Sequence, residues 1–207
     1  MVRRTKEEAE RTRNAILDAA ERLFFERGVA RTSLEGVARA AGVSRGAVYW
    51  HFHDKADLFE AMQARARLPQ ADIIHCLLSQ ESERPLERLC NTFREVFQVM
   101  ATDLHRRRVF TILFHRCEYV EEMRAVAQRK QDHIEQMLEQ STRFFRMAAQ
   151  RGELAPHWRP EAAALGLHAL MMGLLSRILL DEDPQSAIGP AQDCVSAFFQ
   201  SLGAPLA

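Results

Sequence analysis

Apolar and polar positions follow helical spacing along the chain, beginning near its N-terminus. Apolar residues at positions i, i+1, i+4, i+7 and i+8 are typical of one face of an amphipathic helix. This first stripe consists of Ile16, Leu17, Ala20, Leu23 and Phe24. Thr5 followed by Glu8 is a capping-box pattern that favours a helix start, and Gly28 favours a helix end. We therefore predict an amphipathic helix that begins near Thr5 and ends before Gly28.

Two shorter helical patterns follow, separated by a glycine. Thr32 and Glu35 form a second capping-box pattern, and Gly42 interrupts the helix that they begin. The short buried face of that helix consists of Leu34, Val37, Ala38 and Ala41. Ser44 is a good cap for the next helix, in which Val48 and Phe52 share one face at i, i+4 spacing. Two short helices joined by a turn that contains glycine form the helix-turn-helix pattern.

The remaining pattern is also helical. Asp54 can cap a long helix that runs from about residue 55 to about residue 80, and Pro69 inside it predicts a kink or an interruption. Further helical patterns cover about 85–101, 103–118, 121–151, 160–181 and 187–202. The sequence shows no convincing strand or repeat. We predict an all-α protein of about nine helices, with a three-helix N-terminal domain and a larger helical domain.

The distribution of charge differs between the N-terminal region and the rest of the chain. The 207 residues are 47% hydrophobic and 27% charged, which suits a folded domain, and the formal net charge is zero. Residues 1–55 carry a net charge of +3, so residues 56–207 carry −3. This sign is the one expected if only the N-terminal part touches a phosphate backbone. Chance scatter of surface charge is the alternative explanation.

Cysteine usage and hydropathy predict the compartment. The cysteines at 76, 90, 117 and 194 form no Cys-x-x-Cys pair, so we expect small buried residues in a reducing environment, with a redox sensor as the alternative. The N-terminus has no apolar signal region, and the apolar run near 162–176 is short for a bilayer span. We therefore expect a soluble cytoplasmic protein with no membrane partner.

The second short helix carries the side chains that a DNA-reading helix needs. Arg45, Gly46 and Tyr49 share the face opposite Val48 and Phe52. An arginine can donate to a guanine edge, small residues allow close approach, and hydroxyl or basic side chains reach phosphates. The candidate DNA-binding residues are Thr32, Ser33, Ser44, Arg45, Gly46, Ala47, Tyr49, His51 and Lys55. A helical hairpin with solvated polar residues is the alternative that the pattern alone leaves open.

These residues also resemble a known family. The stretch "TRNAILDAAERLFFERGVARTSLEGVARAAGVSRGAVYWHFHDKADLF" is similar to the DNA-binding domain of TetR-family transcriptional regulators. "MVRRTKEEAE" and "RRRVFTILFHRCEYVEEM", residues 106–123, resemble the AcrR/TtgR branch, which consists of repressors of multidrug efflux pumps. The resemblance implies that Arg45, Gly46, Ala47 and Tyr49 face the DNA groove. His53 stands where close relatives often carry Lys or Asn, so a phosphate contact there is in doubt.

The resemblance also implies the role of the rest of the chain. Residues 1–55 would be the DNA-binding domain, and residues 56–207 the ligand-binding and dimerisation domain. Aromatics and methionines with a few polar groups suit a pocket for varied apolar ligands, although they can equally be plain core. The candidate ligand-binding residues are Arg67, Val96, Phe110, Phe114, Met137, His168, Met171 and Met172. The last two helices would form the homodimer interface.

The function that follows is a ligand-responsive transcriptional repressor. It would bind a palindromic operator in double-stranded DNA as a dimer, be released by small hydrophobic or aromatic effectors, and control a multidrug efflux operon. A metal- or redox-responsive regulator on the same scaffold and activation in place of repression stay open. The chain has no Glu-x-x-His motif, no Gly-rich phosphate loop and no nucleophile elbow. We therefore expect no enzyme, no cofactor and no metal.

Overall fold

The structure is a computed structural model, and it describes residues 6–66, 84–118 and 123–203. These residues contain nine α-helices and one π-helical turn, and no strand occurs among them, so the all-α prediction is confirmed. The helices are α1 (Lys6–Arg27), α2 (Leu34–Ala40), α3 (Arg45–His51), α4 (Lys55–Arg65), α5 (Pro85–Thr102), α6 (Leu104–Thr111), α7 (Arg124–Gln150), α8 (Pro160–Leu180) and α9 (Pro184–Leu202), and the π-helical turn Ile112–Arg116 follows α6.

The chain forms two compact units, and each is described separately below. Unit 1 contains residues 1–67 and 108–130, and unit 2 contains residues 68–107 and 131–207. Unit 1 therefore holds the helix-turn-helix region together with a segment from the middle of the chain. The functional division at residue 55 that the sequence indicates stays a prediction.

The core of unit 1 forms around α1. Ile16, Leu17 and Phe24 are completely buried, as the apolar stripe predicts. Val48 and Phe52 of the α3 region pack into the same core and are at most 1% exposed. The middle segment adds Val109, Ile112, Met123 and Val126. The core that α1 to α4 share is thus completed from outside the first 66 residues, and this burial holds α1 to α3 in place.

The helix starts in unit 1 follow the predicted caps with one exception. Ser44 accepts a hydrogen bond from the Ala47 amide, and Asp54 accepts one from the Asp57 amide. The cap of α2 is Ser33, which accepts from the Gly36 amide, so the prediction of Thr32 as the cap is wrong. The predicted cap Thr5 lies outside the described residues. Thr32 is instead buried, and its hydroxyl donates to the carbonyls of Gly28 and of Leu23 in α1.

Unit 2 is a helical bundle in which α5, α8 and α9 pack on one another. Phe97, Phe144, Phe145 and Phe199 are fully buried, and the Phe144 and Phe145 rings meet edge to face with centroids 5.3 Å apart. The Ala155 amide donates to the Leu202 carbonyl at 2.9 Å, which ties the loop before α8 to the end of α9. Apolar burial along three helices is therefore what holds this unit together.

Several predicted boundaries change. The helix that begins at Lys55 ends at Arg65, and its predicted continuation to about residue 80, with the Pro69 kink, lies outside the described residues. The predicted helix over 103–118 divides into α6 and the π-helical turn. The last helix begins at Pro184 rather than near residue 187, because Asp183 caps it and a proline suits a first helical turn.

Two expectations from hydropathy and cysteine usage are also corrected. Helix α8 has 21 residues and contains an 18-residue window with a mean hydropathy of 1.7, so by length and composition it could cross a bilayer, and the expectation that this segment is too short is wrong. Core helices of water-soluble proteins share these properties, and α8 packs against α5 and α9. Cys90 is buried and burial raises the pKa of its thiol, but Cys194 is exposed, so the expectation of buried cysteines fails there. Cys76 lies outside the described residues.

Candidate nucleic-acid interface

Helix α3 has one buried side and one exposed side, as its sequence predicts. Val48 is completely buried, while Arg45, Gly46 and Tyr49 are exposed. Tyr49 is 46% exposed. Because the buried side anchors α3 to α1 and α2, the exposed side can present its donors without any rearrangement of the core.

Arg45 lies at the centre of the exposed side. Its guanidinium donates to the Glu35 carboxylate of α2 at 2.5 Å and lies 5.4 Å from the centroid of the Tyr49 ring. The hydrogen bond with the Tyr49 side chain, followed by the charges of Tyr49 and Glu35, raises the pKa of Arg45. Arg45 therefore presents a fixed positive charge on this surface, and Glu35 is its partner in the free protein.

The small residues of α3 leave room for a close approach. A Cβ added to Gly46 would meet a single neighbour within 4 Å, the Ser44 hydroxyl at 3.9 Å, so the fold itself does not require glycine at this position. Ala47 is half-buried beside it. The hydroxyl groups of Ser33 and Ser44 cap their helices and remain on exposed residues. These four residues contribute only small and polar groups to the surface around the start of α3.

The exposed sides of α2 and α3 enclose a cleft of about 410 Å³. Its lining residues are Ala30, Arg31, Thr32, Ser33, Leu34, Glu35, Arg45, Tyr49 and Lys55. Two arginines, a lysine and three hydroxyl groups stand against one carboxylate, that of Glu35. The exposed donors in this lining belong to Arg31, Ser33, Arg45 and Tyr49, and such a composition suits an anionic ligand such as a phosphate chain.

Two candidate residues lie in this cleft but point their polar groups into the protein. Thr32 is 4% exposed, and its hydroxyl donates to the Gly28 carbonyl at 2.8 Å. Lys55 is 6% exposed, and its ammonium donates to the carbonyls of Val29 and Ala30 at 3.3 and 3.5 Å. In the protein without DNA, both side chains hold the turn that precedes α2, and their contact with phosphates stays a prediction.

The structure also shows surface residues that the sequence reasoning missed. Trp50 is 71% exposed, the highest value among the large hydrophobic residues described, and its ring meets that of His51 edge to face at 4.5 Å. Trp50 stands at i, i+4 from Gly46, so the helical period could have placed it on the same exposed side. Arg31 and Glu35 also line the cleft. His51 is half-buried, and His53 is exposed.

The candidate ligand-binding residues are distributed over both units. Phe110 and Phe114 lie in unit 1, half-buried, with ring centroids 6.4 Å apart. Val96, Met137, His168, Met171 and Met172 lie in unit 2, where Val96 and Met171 are buried and the others half-buried. Arg67 lies outside the described residues. That these side chains share one pocket stays a prediction.

Two further observations bear on the chemistry of this candidate set. The Nδ1 atom of His168 is buried without a hydrogen-bond partner, and burial lowers the pKa of this imidazole, so the neutral form is favoured. Among the residues that the structure describes, no group of three or more His, Cys, Asp or Glu side chains is placed to hold a metal ion.

Comparison with protein families identifies the chain. Residues 16–62 match the model of the bacterial regulatory proteins of the tetR family, and residues 84–203 match the C-terminal region of the MAATS-type transcriptional repressors. The chain belongs to the TetR family. Members of the TetR family are transcriptional regulators, and the family model covers the α1–α4 region on which the candidate interface lies. The family resemblance that the sequence motifs indicate is therefore confirmed.

Individual relatives extend over nearly the whole chain. The HTH-type transcriptional repressor BepR of Brucella suis biovar 1 (strain 1330) is 41% identical over 204 residues, 99% of this chain and 98% of BepR. The crystal structure of NalD, the secondary repressor of the MexAB-OprM multidrug efflux pump in Pseudomonas aeruginosa, has a TM-score of 0.84. It is 40% identical and covers 97% of this chain and 100% of its own.

A third comparison involves a complex. The structure of the SmeT–triclosan complex has a TM-score of 0.76 and 31% identity, and it covers 90% of this chain and 90% of its own. SmeT is the repressor of the multidrug efflux pump SmeDEF of Stenotrophomonas maltophilia. This TetR-family chain is thus similar along its length to repressors of efflux pumps, one of which has been solved in complex with triclosan.

Proposed function

We propose that this protein is a transcriptional repressor that binds a near-palindromic operator as a homodimer and leaves it when a small hydrophobic compound binds. The observation that carries the proposal is the exposed side of α3. Arg45, Gly46 and Tyr49 stand there over a buried anchor, beside a cleft rich in donors. This is the arrangement in which a recognition helix enters the major groove while its neighbours contact phosphates.

Base reading would fall to Arg45, because a guanidinium can donate two parallel hydrogen bonds to the edge of a guanine. Its bond to Glu35 would be exchanged for the base on binding. Gly46 and Ala47 would let the backbone come close, and Tyr49, Ser33 and Ser44 would donate to phosphates or sugars. Thr32 and Lys55 are buried and bonded to carbonyls in the protein without DNA, so their predicted phosphate contacts would require these bonds to be exchanged on binding.

The dimer is supported by the surface of unit 2. Helix α8 exposes Leu165 and Leu180, which are 59% and 62% exposed. Large apolar side chains in such positions are typical of interfaces. A two-fold dimer would place two copies of α3 on successive major grooves about 34–36 Å apart, so that one short helix for each protomer is enough for specific binding.

The regulated genes and the effector follow from the relatives. BepR, NalD and SmeT are named as repressors, and NalD and SmeT act on multidrug efflux pumps. We infer that this protein controls an efflux operon and acts in the cytoplasm, where its operator lies. We infer further that its effector is a hydrophobic compound of the size and polarity of triclosan, which is bound in the SmeT complex.

Fluorescence anisotropy tests this function. A labelled duplex of the DNA upstream of the protein's own gene is titrated with the purified chain, a shuffled duplex of equal length serves as control, and both titrations are repeated with triclosan. We expect preference for the upstream duplex, weakened by triclosan. By linkage, the duplex must then weaken triclosan binding by the same factor. Equal affinity for both duplexes would contradict operator binding.

The same assay separates a drug sensor from a metal or redox sensor. If a metal chelator or a thiol oxidant releases the DNA while triclosan and other hydrophobic compounds do not, the effector part of the proposal is wrong and the operator part stands. Cys194 would then be the first residue to replace, because it is the exposed cysteine among the three described.

A further inference from the structure

Helix α8 carries an imidazole ring with one nitrogen that lacks a hydrogen bond. The Nδ1 atom of His168 is shielded from water, and it has no partner among the residues that the structure describes. Buried nitrogen and oxygen atoms in proteins are almost always paired, because an unpaired one gives up its bonds to water without replacement. An exception of this kind is a position at which a bound molecule can supply the missing partner.

The position of His168 on α8 places the ring among apolar side chains. Ala164 lies four positions before it, and Met171 and Leu175 lie three and seven positions after it, so all four share one side of the helix. Ala164, Met171 and Leu175 are at most 5% exposed. A single polar group beside buried apolar side chains is typical of sites that bind hydrophobic ligands and fix their orientation.

The chemistry of the ring favours a hydroxyl group as the partner. Burial lowers the pKa of His168, so the imidazole is neutral and carries one N–H donor and one accepting nitrogen. Whichever of the two stands at Nδ1, a hydroxyl can pair with it, because a hydroxyl both donates and accepts. A carboxylate or an ammonium would instead bring an unpaired charge to an apolar place.

Flexible neighbours can give a ligand access to this nitrogen. Because Nδ1 is shielded, a ligand reaches it only after a neighbouring side chain moves. Met171 and Met172 follow His168 at three and four positions, and the unbranched methionine side chain adapts easily to a new shape. Met172 is half-buried, so it can move without leaving a fully packed place. Methionine sulfur atoms also make favourable contacts with aromatic rings.

We propose that His168 is the polar anchor of the effector site, where its Nδ1 atom forms a hydrogen bond with a hydroxyl group of an apolar aromatic effector. This inference rests on the proposed function and deepens it, because it assigns the effector to hydroxylated aromatic compounds such as phenols. The apolar frame of the effector lies against Met171 and Met172, and the hydroxyl satisfies the nitrogen that is unpaired in the free protein.

A pair of ligands tests this hydrogen bond in the full chain. Triclosan, which has a phenolic hydroxyl, is compared by isothermal titration calorimetry with the analogue in which hydrogen replaces that hydroxyl. The ratio of the two dissociation constants measures the preference for the hydroxyl. We expect His168→Phe, which keeps a ring and removes both nitrogens, to lower the wild-type ratio by about tenfold. His168→Asn, whose amide group stands close to the place of Nδ1, should keep most of the wild-type ratio.

Trp158→Phe is the matched control. The Nε1 atom of Trp158 is likewise buried without a partner in the described part of the chain, but this residue lies in the loop before α8. Its ring lies beside Gly166, on the side of α8 opposite His168. Trp158→Phe should therefore keep the wild-type ratio.

Thermal unfolding separates ligand binding from packing. His168→Phe should unfold at the wild-type temperature or above it, because the substitution removes an unpaired buried nitrogen. His168→Leu replaces His168→Phe if circular dichroism shows that the phenylalanine variant is unfolded.

An unchanged ratio in the phenylalanine or leucine variant would overturn the inference, because Nδ1 would then not bind the hydroxyl. An equal fall of the ratio in Trp158→Phe would also overturn it, since the loss of any buried polar atom would then have the same effect. Failure of the proposed function looks different. If triclosan binds the wild-type chain without weakening its affinity for the upstream duplex, release from DNA is wrong while the ratio still decides the role of His168. Absence of triclosan binding to the wild-type chain would overturn both.

Discussion

The carboxylate of Glu21 accepts a hydrogen bond from Arg108, which lies 87 positions further along the chain, at 3.2 Å. Arg65 at the end of α4 reaches the same carboxylate at 3.5 Å and Asp18 at 2.8 Å. Glu21 is 3% exposed, so its charge is compensated by two guanidinium groups inside unit 1. Through these ion pairs the buried carboxylate joins α1 to α4 and to the middle segment, in addition to the apolar contacts of the unit 1 core.

Replacing Glu21 by glutamine should destabilise unit 1. The amide cannot satisfy both guanidinium groups, although Arg108 and Arg65 are 45% and 23% exposed and regain some water contact. We therefore expect a loss of about 1–2 kcal/mol in the free energy of unfolding, less than for a fully buried pair. Urea denaturation at fixed protein concentration measures it. Asp18→Asn is the control, because Asp18 is 70% exposed and should cost at most about 0.5 kcal/mol.

The ion pairs of Glu21 also show which contacts cannot be predicted from the sequence. The helix-turn-helix, the buried face of α3 and the caps Ser44 and Asp54 follow from residues a few positions apart, so local spacing predicts them. The bonds of Glu21 and Lys55 join residues that are 87 and 26 positions apart in sequence. Single-sequence patterns hold no information on such pairs.

Some of the features that the sequence analysis did not predict are indicated by neighbouring residues. Glu21 lies next to Ala20 in the apolar stripe of α1. A carboxylate on a buried face is costly unless it is paired, so its position already predicts a cationic partner. The cap of α2 was ambiguous because Thr32 and Ser33 are adjacent and both cap helices well; the structure uses Ser33 as the cap and Thr32 to close the turn. The π-helical turn Ile112–Arg116 left no such signal, since its residues also suit an α-helix.

Releasing Arg45 from Glu35 should strengthen DNA binding. In the free protein the guanidinium is bonded to this carboxylate, and both side chains are about 60% exposed. Glu35→Gln removes a competitor of the DNA and a negative charge beside its backbone. We expect affinity for the upstream duplex to rise by up to about fivefold, with stability unchanged within about 0.5 kcal/mol. Anisotropy and thermal unfolding measure the two quantities.

The control for that prediction removes a negative charge far from the cleft. Glu139→Gln on α7 is exposed and lies in unit 2, and it should leave affinity as in the wild type. Arg45→Met should lower affinity by about tenfold or more, chiefly for the upstream duplex over the shuffled one. If Glu35→Gln weakens binding, Glu35 supports Arg45 in the complex rather than competing with the DNA.

Gly46→Ala should separate folding from DNA binding. The added methyl group would meet only the Ser44 hydroxyl, at 3.9 Å, and alanine favours helix over glycine by up to about 1 kcal/mol. Stability should therefore stay the same or rise, while affinity for the upstream duplex should fall by about tenfold, because the methyl group stands where the groove comes closest. Thermal unfolding and fluorescence anisotropy on the upstream duplex measure the two quantities. Unchanged affinity in Gly46→Ala would place the groove elsewhere.

Leu165→Glu should convert the proposed dimer into monomers. Leu165 is 59% exposed on α8, and in a two-fold interface each copy would bury it against its partner. A carboxylate there would be buried without a cation, and its symmetry mate would stand near it, so association should fail.

Sedimentation velocity should show monomers, and circular dichroism should show that they retain wild-type helicity. In the anisotropy assay, their affinity for the upstream duplex should be strongly reduced, since one α3 reads only half of a palindrome. Leu104→Glu on α6 is the matched control, because Leu104 is 66% exposed and lies outside the last two helices. A Leu165→Glu protein that still sediments as a dimer would exclude this face of α8 from the interface.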